Sequence, residues 1–575
     1  FSDLLRKRLR QTAPDLMPAL HRRASDWHEE QGLTAGAIEH ALAAQDHKRA
    51  ATLIEEGVEA TFMRSEVTTF LRWVERLPNE VLRAHPTLCF YHAWALLMSG
   101  RALDVVEERL QDIACVQEGA DLGEVMPGRV AALRAYSMLF RADMERAADY
   151  CRQALKTLPE SEQFLRGIVT WILSLVHVAN GNRQEGSQEL QEVARLGQET
   201  GIPLIAVTAL CHRARLQARR GRLHRARETL EQALQLATDG LGRRLPIASE
   251  PLFGLGELWR EWNDLEAAAD CFTQGIELSM QWSEMASFDA YGPLARVRAA
   301  QGDQRGAREA IEVARRLADK SEATEVDDLI ADLQLGGLLV LLGDVEGATR
   351  WAERQGLISG VSTPPSAAHQ RTALFADRLR KYEQAVLARL FLLQDRPAAA
   401  LEQLESLLAE ARQLERIDLI IEAQILRAMA YQAEGQEPQA MAALDEALTL
   451  AEPGGYLRVF LDKGPAMARL LRQAASRGIA PTYAVKLLAE FDGSDLDESQ
   501  PGLRRPQPQP LIEPLSEREI EVLRLLANGM SNPEIAEHLY IAVSTVRSHC
   551  KSIYAKLNVH KRWDAVHRAQ ELGLI

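Results

Sequence analysis

Aromatic residues make up only 6% of this 575-residue chain, and cysteine is limited to six positions. The first scarcity, set beside abundant alanine and leucine, argues for helices over sheets. The cysteines, Cys89, Cys115, Cys151, Cys211, Cys271 and Cys550, include no CxxC pair. That excludes a zinc ribbon or disulfide scaffold, and they read as small buried hydrophobes in a reducing, cytoplasmic setting. No apolar run approaches the ~20 residues that span a bilayer, so no membrane partner is expected. A secretory signal is also lacking. Positive charge is in deficit: the formal net charge is −14. An acidic chain cannot coat nucleic acid along its length, so any DNA contact must be local.

Catalytic signatures are missing too. There is no GxxxxGK[ST] loop to cradle phosphates, no HExxH and no strand–turn–helix nucleophile elbow. Gly254 and Gly256 lack the third glycine and the strand of a dinucleotide site. His21, His28, His40 and His47 are spaced along separate helices and read as surface. The chain is therefore expected to be no enzyme, with no metal and no cofactor of its own.

What is present is periodicity. Turn residues recur at Gly100, Ala142, Gly181, Gly221, Asn263, Gly302, Gly343, Asp395 and Gly435, mostly near ~40 residues apart, the mark of a helical solenoid. Small and apolar residues return at fixed offsets after them: Ala226, Leu230 and Ala233 after Gly221; Ala307, Ile311 and Ala314 after Gly302; Ala440, Leu444 and Ala447 after Gly435. A small residue lets antiparallel helices approach while the larger one fills the groove. Solenoids present concave surfaces that bind partners, so a small-molecule or protein effector is expected. Trp171, His177, Trp259, Trp262, Trp282 and Tyr291 read as core or ridge residues. Ahead of the array, Leu16, Leu20, Ala24 and Trp27 form an apolar stripe, and Leu4, Leu5 and Leu9 alternate with a solvated basic run. Residues 360–366 break the array as a surface loop. Past the array, Pro465 starts a helix through Leu470, Leu471 and Ala474, and a second helix holds Tyr483, Leu487 and Leu488. Residues 492–514, rich in proline and acid, form a linker that cannot bury a core.

The last stretch carries the sharpest signal. Ser516 with Glu519, and Ser531 with Glu534, are capping boxes. Pro533 suits a first helical turn. Ser544 is positioned to cap a third helix. Only Tyr540 to Val543 separate the second helix from the third, so the two must cross steeply, as in a helix-turn-helix. In the third helix Val546, Cys550, Ile553 and Leu557 recur at helical spacing, and Arg547, Ser548 and Lys551 fall opposite. From Arg547 to Arg568 the bases Arg547, Lys551, Lys556, Lys561, Arg562 and Arg568 meet only Asp564 as an acid, reversing the charge of the whole chain.

Through LSEREIEVL, SNPEIAEHL, STVRSH, KLNV and AVHRAQELGLI, this stretch resembles the LuxR-type DNA-binding domain. The resemblance implies a four-helix fold that dimerises through its last helix, about Arg562 to Leu572. It implies that Arg547, Ser548 and Lys551 meet base edges, and that Thr545 and His549 meet backbone or orient the helix, with Ser544 at the helix start. The rest of the chain is similar to MalT-like regulators, whose repeats are longer than the usual tetratricopeptide (TPR) unit. One departure is Lys463, standing where such regulators commonly carry an acid in FLDEGP.

The expected architecture is all-α: a TPR-like helical-hairpin superhelix, then a flexible linker and a four-helix LuxR-type helix-turn-helix domain. Its segments would be 1–57, the end of a winged-helix segment with the first helical hairpin; 58–455, the repeat array; 456–491, a closing helical block; 492–514, the linker; and 515–575, the DNA-binding domain. The opening at Phe1, inside a helical pattern, suggests a fragment. The resemblance implies an upstream ATP-binding switch in the intact protein. It also implies self-assembly on promoter DNA beside RNA polymerase. The competing reading is a TPR scaffold whose last domain binds protein.

Overall fold

The computed structural model describes residues 16–63, 66–99, 103–117, 125–141, 143–179, 182–282, 284–320, 325–358, 373–492, 515–527, 535–536, 538–539, 541, 543–557, 565 and 569. Among these residues the chain is helical without a strand, apart from one isolated bridge between Thr238 and Arg244. Two compact units are present, Phe1–Asp495 and Leu496–Ile575.

The first unit is the all-α array of antiparallel hairpins. Each described turn predicted from the sequence has a left-handed residue: Gly221 (φ 73°), Gly302 (82°), Gly343 (71°) and Gly435 (73°), with Asn263 (65°) and Asp395 (56°) where glycine is replaced. The conformation lets the chain double back while the last helical carbonyls are satisfied. The residue after the turn donates five residues back: Arg222 to Gln217, Asp264 to Trp259, Asp303 to Arg298, Asp344 to Leu339, Arg396 to Phe391 and Gln436 to Tyr431. Three of these residues also open the next helix. Asp264, Asp303 and Asp344 accept from the amides of Ala267, Gly306 and Gly347 at 2.8–3.0 Å. Asp143 caps its helix in the same way.

The offset residues form the core, including Ala268 and Phe272 after Asn263 and Ala400, Leu404 and Leu407 after Asp395. Ala226, Ala233, Ala268, Phe272, Ala307, Ala314, Ala400, Leu404, Leu407, Ala440, Leu444 and Ala447 are all inaccessible to water. Close approach is literal at Gly256 and Gly275. A methyl on Gly256 would come within 2.9 Å of the Phe272 ring, and one on Gly275 within 2.5 Å of Phe253. Gly254 and Gly256 thus belong to helix packing within Ser249–Glu261, as their lack of a dinucleotide pattern implies.

Two expectations near the N-terminus need correction. Leu16, Leu20 and Trp27 are exposed. Helix Leu16–Glu30 buries Ser25 instead, whose hydroxyl donates to the Ala37 carbonyl at 2.9 Å. Periodicity shows that a face is apolar, but what covers it depends on the tertiary fold. His21, His28 and His40, read as scattered, come together: the Nδ1 atoms of His21 and His40 are 2.9 Å apart, and His28 stacks on His40. A hairpin brings residues far apart in the chain onto one interface. The basic run near Phe1, the break at 360–366 and the linker at 492–514, save Asp492, lie outside the described residues.

The array also touches itself. Thr68 Oγ1 donates to the Gln281 carbonyl, 213 residues on. Trp262 Nε1 donates to the Gly454 carbonyl at 2.9 Å, 192 residues on, and Arg458 reaches Asn263 Oδ1 at 3.1 Å across 195. These similar separations describe a superhelix whose successive turns meet after roughly five ~40-residue hairpins. Helices Pro465–Ser476 and Pro481–Asp492 hold Leu470, Leu471, Ala474, Tyr483, Leu487 and Leu488 as expected, all buried except the half-buried Leu488.

Candidate nucleic-acid interface

The second unit is built outward from a capping box. Ser516 precedes helix Glu517–Ala527. Its amide donates to Glu519 Oε2 at 2.7 Å, and the Glu519 amide donates to Ser516 Oγ at 3.3 Å. The same carboxylate then reaches a different helix, Val543–Leu557. It accepts from the Ser552 hydroxyl at 2.6 Å and from Lys556 Nζ at 2.9 Å. Glu519 is 5% exposed. Burial pushes its carboxyl up, but the bonds from Ser552, from Ser516 and from Lys556 outweigh that and hold it down at about 2. Arg518 adds a second tie, donating to the Leu539 carbonyl at 3.0 Å.

An apolar core sits under these ties. Val522, Leu523 and Leu526 of the first helix meet Ile535, Ala536 and Leu539, then Val546, Cys550 and Ile553 of helix Val543–Leu557. Ala565 and Ala569, from the stretch expected to dimerise, are buried in the same core.

All six residues expected at the DNA surface lie on helix Val543–Leu557. Thr545 is exposed and His549 half-buried. The side chains of Ser544, Arg547, Ser548 and Lys551 lie outside the described residues. Ser548 and Lys551 occupy register positions on the far side from the stripe Val546, Cys550 and Ile553, and Arg547 occupies a position on its flank. The helix begins at Val543, so Ser544 stands in its first turn rather than before it. No acid occupies that first turn, the end at which the helix dipole is positive. Ser531, Pro533, Glu534 and Tyr540 lie outside the described residues.

Lys556 requires a correction. Sequence reading grouped it with the basic residues facing only Asp564, whereas the structure pairs it with Glu519, 37 residues upstream. A capping-box glutamate has two oxygens, and the cap uses one lone pair. That spare acceptor capacity was the available signal.

Among the described residues, one group could hold a metal ion: the donors of His177, Glu185 and Glu189 lie within 4.8 Å of one another. The His177 ring already bonds Glu189 at 2.9 Å, and Glu185 is exposed. Trp171 lies between Tyr136 and His212, and Tyr291 packs in the core. Trp259 meets Trp262 edge-on, while the Trp282 side chain lies outside the described residues.

Two family models match the chain. Residues 128–477 match the MalT-like TPR region, and residues 513–569 match the bacterial regulatory proteins of the luxR family. The HTH-type transcriptional regulator MalT of Serratia proteamaculans is 25% identical over 591 residues. The one from Cronobacter sakazakii is 26% identical. Both alignments cover all of this chain, which spans 63% of each relative's length. Among solved structures, a Rap protein complexed with competence and sporulation factor aligns with 65% of this chain and 99% of its own, at 12% identity and TM-score 0.46.

Proposed function

Because this chain belongs to the MalT-like TPR family and carries a LuxR-type helix-turn-helix, we propose that it is a transcriptional regulator whose last domain binds promoter DNA. The observation that carries this reading is the division of labour around helix Val543–Leu557. Val546, Cys550 and Ile553 face the core, Ser552 and Lys556 are held by Glu519, and Thr545 remains exposed. Among the positions left over are those of Arg547, Ser548 and Lys551. Arginine or lysine there donates to guanine O6 and N7 or neutralises phosphate. Thr545 and His549 meet backbone or orient the helix, and Ser544 places its start against the DNA.

In this reading the domain binds as a dimer through the stretch around Arg562 to Leu572, and higher assembly on repeated sites is open to it. The superhelix is the sensor, a small-molecule or protein effector its input, and RNA polymerase the partner at the promoter. The intact protein uses ATP in a module upstream of this array, and it acts as an activator in the cytoplasm.

Gel shifts over a titration of promoter fragments test the core of the proposal. Arg547→Ala and Lys551→Ala should each weaken specific binding by ~1–3 kcal/mol if they read bases. A double variant that binds DNA as tightly as the parent would sink the reading in favour of a protein-binding scaffold.

A further inference from the structure

Where the two turns of the superhelix meet, a cluster of buried charges lies beside apolar residues such as Leu457, Phe460 and Leu461. Asp462 follows the short helix Arg458–Leu461. Its carboxylate pairs with Arg260, from helix Ser249–Glu261, and with Arg458, one turn back. Its backbone carbonyl accepts from Arg389 of helix Ala373–Leu393. The next residue, Lys463, pairs with Glu422 of helix Ile417–Ala433, and its side chain is 3% exposed. Arg296, from helix Phe288–Ala300, pairs with Glu257 at 2.7 Å close by.

Cations outnumber firm anions in this cluster. Arg260, Arg296, Arg389 and Arg458 face Asp462, Glu422 and Glu257, while burial pulls the ammonium of Lys463 below its ordinary value. The fourth acid, Glu261, is pushed up to about 7 by burial, against the pull of Arg260. One observation marks an unfilled donor and a second a guanidinium without its own carboxylate. Arg260 is 6% exposed, yet its Nε has no partner. Arg389 bonds the neutral Asp462 carbonyl rather than a carboxylate, and burial pulls its guanidinium below the ordinary value. A guanidinium has five donors in a planar fork that matches an oxyanion. Burying such charge without full pairing is costly, and the cost falls on the contact that closes the superhelix.

We propose that the cation cluster around Asp462, with Arg260 and Arg389 as its principal donors, is a binding site for a small oxyanion, a carboxylate or a phosphate, that fastens the two turns of the superhelix together. The site deepens the sensor reading of the array and rests on it for its regulatory meaning. Leu457 and Val459 report on the joint, because their amides donate to the backbone and side-chain oxygens of Glu261 at 3.0 Å.

Calorimetry on the full chain at matched ionic strength tests it, with orthophosphate in one arm, malonate in the second and chloride as control. Saturable binding of one oxyanion, with several-fold slower hydrogen exchange at Leu457 and Val459, is the expected result. The responding arm identifies the class of anion. Arg389→Gln should weaken that binding at least tenfold, and Arg389→Lys, which keeps the charge but loses the fork, should retain part of it. Heats indistinguishable from chloride in both arms would overturn the site and leave an ion-pair network only. So would an Arg389→Gln chain, folded by circular dichroism, that binds as the parent does. DNA affinity unmoved by a saturating, tightly bound oxyanion would overturn the sensor coupling while leaving the site standing.

Discussion

Glu519 serves two helices with one carboxylate, and that makes it the residue on which the DNA-binding unit turns. Glu519→Ala removes the cap and leaves Lys556 without its partner, and loss of charged, buried hydrogen bonds costs on the order of 2 kcal/mol. Slower exchange of the amides in 543–557 should be lost in that variant. Lys556→Met should also loosen the unit, whereas Arg547→Ala should weaken DNA binding with exchange unchanged. The pH dependence has a definite sign. The Glu519 carboxyl sits at about 2 in the fold against an ordinary 4.5. Its contribution is therefore complete above 4.5 and is lost as pH falls from there toward 2, where the folded form also takes up a proton. Glu519→Gln should flatten that loss, as read by exchange at acid pH. The capping box itself was legible from Ser516 and Glu519 as a local spacing. Ser552 and Lys556 were not, because their link to Glu519 exists only once the two helices pack.

At the scale of one hairpin, conformation and packing can be separated by substitution. Gly302 has φ 82° with open space where a side chain would stand. Gly302→Ala therefore meets only backbone strain, about 1–2 kcal/mol. Gly275 has no such φ but lies against Phe253, so Gly275→Ala costs through overpacking, typically ~1–3 kcal/mol. A compensating Phe253→Leu should rescue the second variant and leave the first unchanged, which denaturant midpoints on the full chain would show. Punctuation by Gly221, Gly302, Gly343 and Gly435 was legible because αL geometry selects glycine directly. Asn263 and Asp395 were legible through position in the repeat, since Asn and Asp tolerate αL better than other side chains.

Across the whole array, the joint between turns should respond to pH in the sense opposite to Glu519. Glu261 is raised to about 7 from 4.5, mainly by burial. It faces Arg260, which lowers it with the Val459 amide, while Asp462 and Glu422 raise it. A raised carboxyl is protonated in the fold after the unfolded chain has released its proton. Stability of the joint therefore falls as pH rises from about 4.5 to about 7 and levels off above. The protection factor at Leu457, exchange relative to the intrinsic rate at each pH, should fall over that window, and Glu261→Gln should remove the trend. Asp462→Asn should open the joint more severely, by ~3–5 kcal/mol, because it strands buried guanidinium groups. Lys463 reads in the sequence only as a departure from an acid in FLDEGP, but the structure buries it against Glu422.

The amino-acid order by itself determined the helical hairpins, the left-handed turns between them, the alanine-lined seams and the helix-turn-helix with its cap. Each of these depends on residues a few positions apart, so propensity and spacing decide them before any long-range contact forms. Only the tertiary structure decided which partners meet across roughly 200 residues of chain: Asp462 with Arg260, Trp262 with Gly454, and Glu261 with Leu457. The small rotation between neighbouring hairpins accumulates over the array, and where two turns come to lie against each other depends on all of those rotations together.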